Sequence, residues 1–259
     1  MPTGDFETLE LEREGPVLRV WLNRPERLNA IDNTMLREIG DLFGSLETEW
    51  EARVVVLGGR GRSFCAGADR KAGAPAAAPA SDRERRWISQ LGRRASRAIE
   101  DCDALTIARV HGHAIGGGAC FALACDFRIA ARDAVFRVPE VDLGIPLTWG
   151  ATPRLLNEIG AARTREVLML CEDIAAQKAA DWGMVHRAVD PEALDSEVDE
   201  LARKLAAKPE MAISMTKSQL RAYARATSLG DVSETDGDLL DRAARSESAQ
   251  GLFGLPKKG

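Results

Sequence analysis

Two glycine-bearing segments are the places in this chain where residue type and spacing point to chemistry: Cys65-Ala66-Gly67-Ala68-Asp69 and Gly116-Gly117-Gly118. Glycine lets a backbone approach a ligand closely, and the first N–H groups of a helix have no acceptor within it. A ligand oxygen that turns negative is stabilised there, because donors and the positive end of the helix dipole both face it. One N–H from each segment, aimed at a shared carbonyl oxygen, makes an oxyanion hole; glycines serving only a tight turn are the alternative. The dinucleotide pattern G-x-G-x-x-G and the phosphate pattern G-x-x-x-x-G-K-[ST] are both absent. His111 and His113 form an H-x-H pair, but no third metal ligand stands near them in sequence, so they read as structural.

The elements that must hold these segments follow from the apolar pattern. Residues 6–12 and 17–22 read as strands, the second ending at Asn23-Arg24-Pro25. Asp32 or Asn33 caps a helix carrying Met35, Leu36, Ile39, Leu42, Phe43 and Leu46 at helical spacing. Residues 53–57 carry the continuous apolar run Val54-Val55-Val56-Leu57, as in a strand buried on both faces, and Gly58-Gly59-Arg60-Gly61 is expected to break it. The low-complexity stretch 71–80 is a loop or lid beside the first glycine segment, or an inert connection. Ser81 or Asp82 opens one helix running past Ile99. Residues 105–110, 127–131 and 135–138 are further strands. Helices are expected over 153–159, 162–170, 175–182, 192–207, 209–226 and 231–248. Strands alternate with helices early and helices dominate late, which predicts an α/β core followed by a helical C-terminal part.

Composition narrows the class. The chain has 259 residues, 45% of them hydrophobic and 29% charged, with a formal net charge of −5. An acidic balance argues against a duplex nucleic-acid footprint. There is no apolar run long enough for a membrane span and no signal-peptide pattern at the N-terminus, so a cytoplasmic location is expected. The five cysteines are an odd number without framework spacing and read as buried thiols in a reducing compartment.

Several motifs together resemble the crotonase (enoyl-CoA hydratase/isomerase) superfamily along nearly the whole chain. They are Leu22-Asn23-Arg24-Pro25-Glu26-Arg27-Leu28-Asn29-Ala30, Ser63-Phe64-Cys65-Ala66-Gly67-Ala68-Asp69 and Gly112-His113-Ala114-Ile115-Gly116-Gly117-Gly118. Further along stand Ala124-Cys125-Asp126-Phe127-Arg128-Ile129-Ala130, Phe136-Arg137-Val138-Pro139-Glu140-Val141-Asp142-Leu143-Gly144 and Ala179-Ala180-Asp181-Trp182-Gly183-Met184-Val185. The resemblance implies an α/β fold, a crotonase-like spiral of ββα units with a helical C-terminal trimerisation region. It divides the chain into a core with the acyl-CoA site (1–200) and a helical oligomerisation region (201–259), assembling as a homotrimer or dimer of trimers. It implies an acyl-CoA thioester as substrate, with coenzyme A part of the substrate and no other cofactor or metal. The thioester oxygen would lie between the N–H groups of Ala68 and Gly117. Ala66, Asp69, Arg70, Cys120, Leu147 and Trp149 would contact the acyl-CoA, although Asp69 also reads as the residue that fixes its loop.

The same resemblance marks departures. Hydratases of this kind use two glutamates to position and split water; the second matches Glu140, but Cys120 stands where the first would be. A thiol accepts hydrogen bonds weakly and ionises near 8.5. The Pro-Gly-x-Gly loop reads Leu147-Thr148-Trp149-Gly150, adding bulk beside the acyl chain. Two readings follow: double-bond isomerisation or hydration with Glu140 as the acid/base, or an acyl-CoA-binding relative that has lost catalysis. Asp142 is a second acid candidate if the segment is extended, and a surface carboxylate otherwise. Phe253, Lys257 and Lys258 are either a shortened CoA-phosphate-binding tail or an unstructured end.

Overall fold

The computed structural model describes residues 6–70, 79, 81–227 and 236–244. Its main sheet has the order β1 (Leu9–Glu14), β2 (Val17–Leu22), β3 (Val54–Gly59), β4 (Leu105–Val110), β6 (Phe127–Ala131) and β9 (Arg187–Val189). Only the β1–β2 pair is antiparallel; the remaining pairs are parallel. β3 is buried along its whole length, as its run of valines requires in a sheet covered on both faces. It continues through Gly58 and Gly59, where a break was expected, pairing them with Trp21 and Leu22. A Cβ on Gly58 would lie 2.5 Å from the Trp21 ring, so the glycine makes room for the indole rather than ending the strand.

A smaller sheet of β5 (His113–Ile115), β7 (Val135–Arg137) and β8 (Ile174–Ala175) lies in the order β5-β7-β8. The chain alternates between the two sheets in a repeating unit: one strand to the main sheet, one short extended piece to the second layer, then a helix. β4, β5 and α4 (Gly117–Ala124) make one such turn; β6, β7 and α5 (Ala151–Leu170) make the next. Earlier turns contribute only single bridging residues to the second layer, Ile31 against Ala68 and Cys65 against Ala114. This is the ββα spiral, invisible as a sequence repeat because its second strands are one to three residues long.

Asp32 caps α1 (Asn33–Ser45), its carboxylate accepting from Met35 N at 2.9 Å. The helix expected from Ser81 is capped by that residue but is divided at Gln90 into α2 (Asp82–Ser89) and α3 (Leu91–Asp101). α5 turns sharply at Gly160 (φ 73°), reproducing the two helical stretches expected there. α6 (Ala176–Trp182) and α7 (Leu194–Ala206) follow, and α8 (Glu210–Thr227) is pinned to the core by buried Lys217. That ammonium donates to Ala104 O at 2.7 Å and pairs with Asp126 at 2.8 Å. α9 (Asp236–Ala244) is the described part of the last expected helix. Most of the 71–80 stretch, and Phe253, Lys257 and Lys258, lie outside the described residues.

Candidate active site

The two glycine segments meet. Cys65 N donates to His113 O at 2.8 Å and Ile115 N to Cys65 O at 3.0 Å, which ties the first loop to β5 just before α4 begins. A Cβ on Gly118 would lie 2.5 Å from Cys65 O, and one on Gly67 would lie 2.8 Å from Ile115 O. The glycines are therefore needed for the close approach of two backbones, beyond any turn they make. Gly116 takes a positive φ of 50° to turn the chain into α4, and a Cβ there would sit 2.7 Å from Glu140 Oε1.

α4 has no side-chain cap at its N-terminus. Among the described residues, neither Ala68 N–H nor Gly117 N–H donates to a protein acceptor, whereas Ala66 and Asp69 on either side give theirs to Leu28 O and Ile31 O. Both Ala68 and Gly117 line one cavity of about 230 Å³, together with Ala66, Arg70, Cys120, Glu140, Leu147 and Trp149. Two free donors facing a mostly apolar pocket are suited to a carbonyl oxygen that becomes anionic.

Glu140 follows β7 and Pro139 in a turn, where Leu143 N and Ile145 N return to Glu140 O at 3.0 Å each. Its Oε2 is buried with no hydrogen-bond partner among the described residues. Burial raises its pKa from 4.5 to about 7, opposed only by its own backbone N–H. Such a carboxyl group exchanges protons near neutral pH. Cys120 is buried beside it, and burial together with the Glu140 charge pushes its thiol well above the usual range, so it stays neutral.

Asp69 is the one residue of the expected site that does not face the cavity. Its carboxylate is turned the other way, to Arg27 at 2.8 Å and Arg24 at 3.0 Å, with 3% of the side chain exposed. Asp142 is exposed and paired with Arg137 at 3.2 Å; residues 140–144 turn instead of extending, so its side chain parts from that of Glu140. His111 and His113 have separate partners, Gly61 O at 2.9 Å and Ser63 Oγ at 3.1 Å. Ile115, Leu143, Ile145 and Leu240 also line the cavity. Ile115 stands inside the recognised motif, but nothing in the sequence connects Leu240 with a loop 170 residues earlier.

The two-layered spiral is the fold of the crotonase kind. The enoyl-CoA hydratase/isomerase family profile matches residues 12–256, and the chain belongs to that family. It is 34% identical over 217 residues to the short-chain-enoyl-CoA hydratase of Clostridium acetobutylicum, covering 83% of this chain and 82% of that one. A crystal structure of an enoyl-CoA hydratase from Mycobacterium avium subsp. paratuberculosis superposes with a TM-score of 0.84 at 26% identity, over 95% of this chain and 93% of the other. A monofunctional enoyl CoA isomerase from M. smegmatis superposes with a TM-score of 0.69 at 30% identity, over 84% and 93%. The chain is thus an acyl-CoA-processing enzyme of the lyase or isomerase type.

Proposed function

We propose that the enzyme moves a proton between carbons of an enoyl-CoA, with Glu140 as its only acid/base. The observation that carries this is one buried carboxyl group, its pKa raised by burial, in a cavity shared with two free N–H donors, with an un-ionised thiol where a second carboxylate would stand. In a 3-enoyl-CoA the Glu140 carboxylate takes a proton from C2, and the electron pair moves through the conjugated system to the thioester oxygen. The dienolate is held by Ala68 N–H and Gly117 N–H. Glu140 then returns the proton at C4, giving the 2-enoyl-CoA with every atom retained. Hydration is the second reading. It is favoured by the hydratase relative and by the buried Thr148, which lines the same cavity and offers a hydroxyl to a water.

No resident cofactor enters this scheme, since coenzyme A arrives with the substrate. Ala66 and Arg70 line the cavity and are the residues assigned to the CoA linker. Self-association as a trimer or dimer of trimers is supported by exposed Met211, Met215, Leu220 and Tyr223 on α8. A cytoplasmic setting is supported by five free, buried cysteines, and no described helix is long and apolar enough to cross a membrane. The test is a panel of 2-enoyl-, 3-enoyl- and 3-hydroxyacyl-CoA esters. Conversion of the 3-enoyl ester above all supports isomerisation, and conversion of the other two alone supports hydration. Binding without turnover of any ester would show a relative that has lost catalysis.

A further inference from the structure

Trp149 stands in the cavity in an unusual way. Its backbone is left-handed (φ 62°), a conformation that bulky residues rarely adopt and that persists only where surroundings enforce it. They do so from both sides. Trp149 O accepts from Arg154 Nη1 at 2.9 Å, and the next N–H, that of Gly150, donates to Asp236 at 2.7 Å, at the start of α9. The indole is fixed as well. A Cβ on Gly92 of α3 would fall 1.8 Å from Trp149 Cε2 and 2.0 Å from Nε1; one on Gly117 would fall 2.5 Å from Cζ3. The ring therefore fills two gaps left by missing side chains, and Phe121 packs against it at 5.8 Å between centroids.

We infer that Trp149, seated between Gly92 and Gly117, is a fixed end wall that restricts the enzyme to short acyl chains. The inference rests on the reading that this cavity takes the acyl part of an acyl-CoA. The wall touches Gly117 itself, so an acyl chain whose thioester oxygen reaches the Gly117 N–H meets the indole within a few carbons. The cavity of about 230 Å³ lies below the ~300–1,000 Å³ of pockets that hold drug-sized ligands. The ring cannot swing aside to lengthen it, because Gly92 and Phe121 close its back and its backbone is held at both ends. Gly92 is the matched positioning residue: a side chain there would drive the indole towards Gly117 and the oxyanion hole.

The test reads binding apart from turnover, by calorimetry with butyryl-CoA and decanoyl-CoA, which Glu140 cannot convert. Wild type is expected to bind the short ester and to discriminate against the long one by roughly 10–100-fold, the scale of a poor fit in an apolar pocket. Trp149→Ala should largely abolish that preference. Gly92→Ala should weaken butyryl-CoA binding and turnover, and Gly92→Ala with Trp149→Ala should restore butyryl-CoA binding to the level of Trp149→Ala alone. Equal wild-type affinity for both esters, or an unchanged preference in Trp149→Ala, would overturn the inference whatever the role of Glu140. Failure of both esters to bind wild type would remove the acyl-CoA reading and this proposal with it.

Discussion

At the scale of single residues the account turns on Glu140 and Cys120. As a base Glu140 must be ionised, so kcat/KM is expected to rise with pH and level off above an apparent pKa near 7. A profile flat from pH 5.5 to 8.5 would count against it. The same burial has a consequence for stability. The folded protein holds the Glu140 proton more tightly than the unfolded chain, whose carboxyl ionises near 4.5. That contribution is fully present below pH 4.5 and is lost as pH rises through 7. At ~1.4 kcal/mol per unit the loss is on the order of 3 kcal/mol. Glu140→Gln cannot ionise, so it should be more stable than wild type at pH 8 by ~1–3 kcal/mol. By pH 4 that advantage should be gone, which denaturant melts at the two values would reveal. Cys120, neutral and buried, should resist iodoacetamide at pH 8 in the folded protein, and Cys120→Ala should leave the pH profile in place; rapid alkylation at that position would show an ionised thiol instead.

At the scale of elements, the first glycine loop is held by charges that never reach the cavity. Asp69 lies under Arg24 and Arg27, so Asp69→Asn leaves Arg27 facing a neutral amide and Arg24 ion-paired, among the described residues, only with Asp32 at 3.3 Å, in a largely buried place. The expected cost is about 3 kcal/mol of stability, visible as a lower Tm, and much of the activity should go with the position of Ala68. A wild-type Tm with lost activity would point to contact with substrate instead. The role was half legible in the sequence. Asp69 could be read as fixing its loop, but its partners are more than 40 residues away. The long parallel strands were readable because full burial demands unbroken apolar runs, as at Val54, Val55 and Val56. β5, β8 and β9 are too short to show any period, so of the second layer only β7 was legible, within 135–138. The Gly58–Gly59 pair misled because glycine marks both a turn and a close approach, and only the packed Trp21 ring tells which.

At the scale of the whole molecule, the cavity draws on distant parts of the chain. Leu240, far into the helical region expected to serve assembly, lines the site, and α9 holds the Trp149 loop through Asp236. The same region carries the apolar face of α8. If that face joins subunits, Met211→Glu with Met215→Glu should shift the protein from three or six chains to one in sedimentation. An unchanged mass would place the interface elsewhere. Motif resemblance named residues that the fold gathers around one cavity, because family motifs record backbone geometry. It could not show the closed rear of the pocket, which depends on Gly92 and Trp149, 57 positions apart in the sequence.

The proposed mechanism is that one carboxyl group beside two backbone donors does the chemistry. It is tested most directly by comparing wild type with Glu140→Gln for turnover of a short 3-enoyl-CoA and for binding of a saturated short acyl-CoA. Turnover should fall by roughly 10²–10⁴-fold while the affinity for the saturated ester stays near that of wild type. Turnover that survives the substitution would contradict the account.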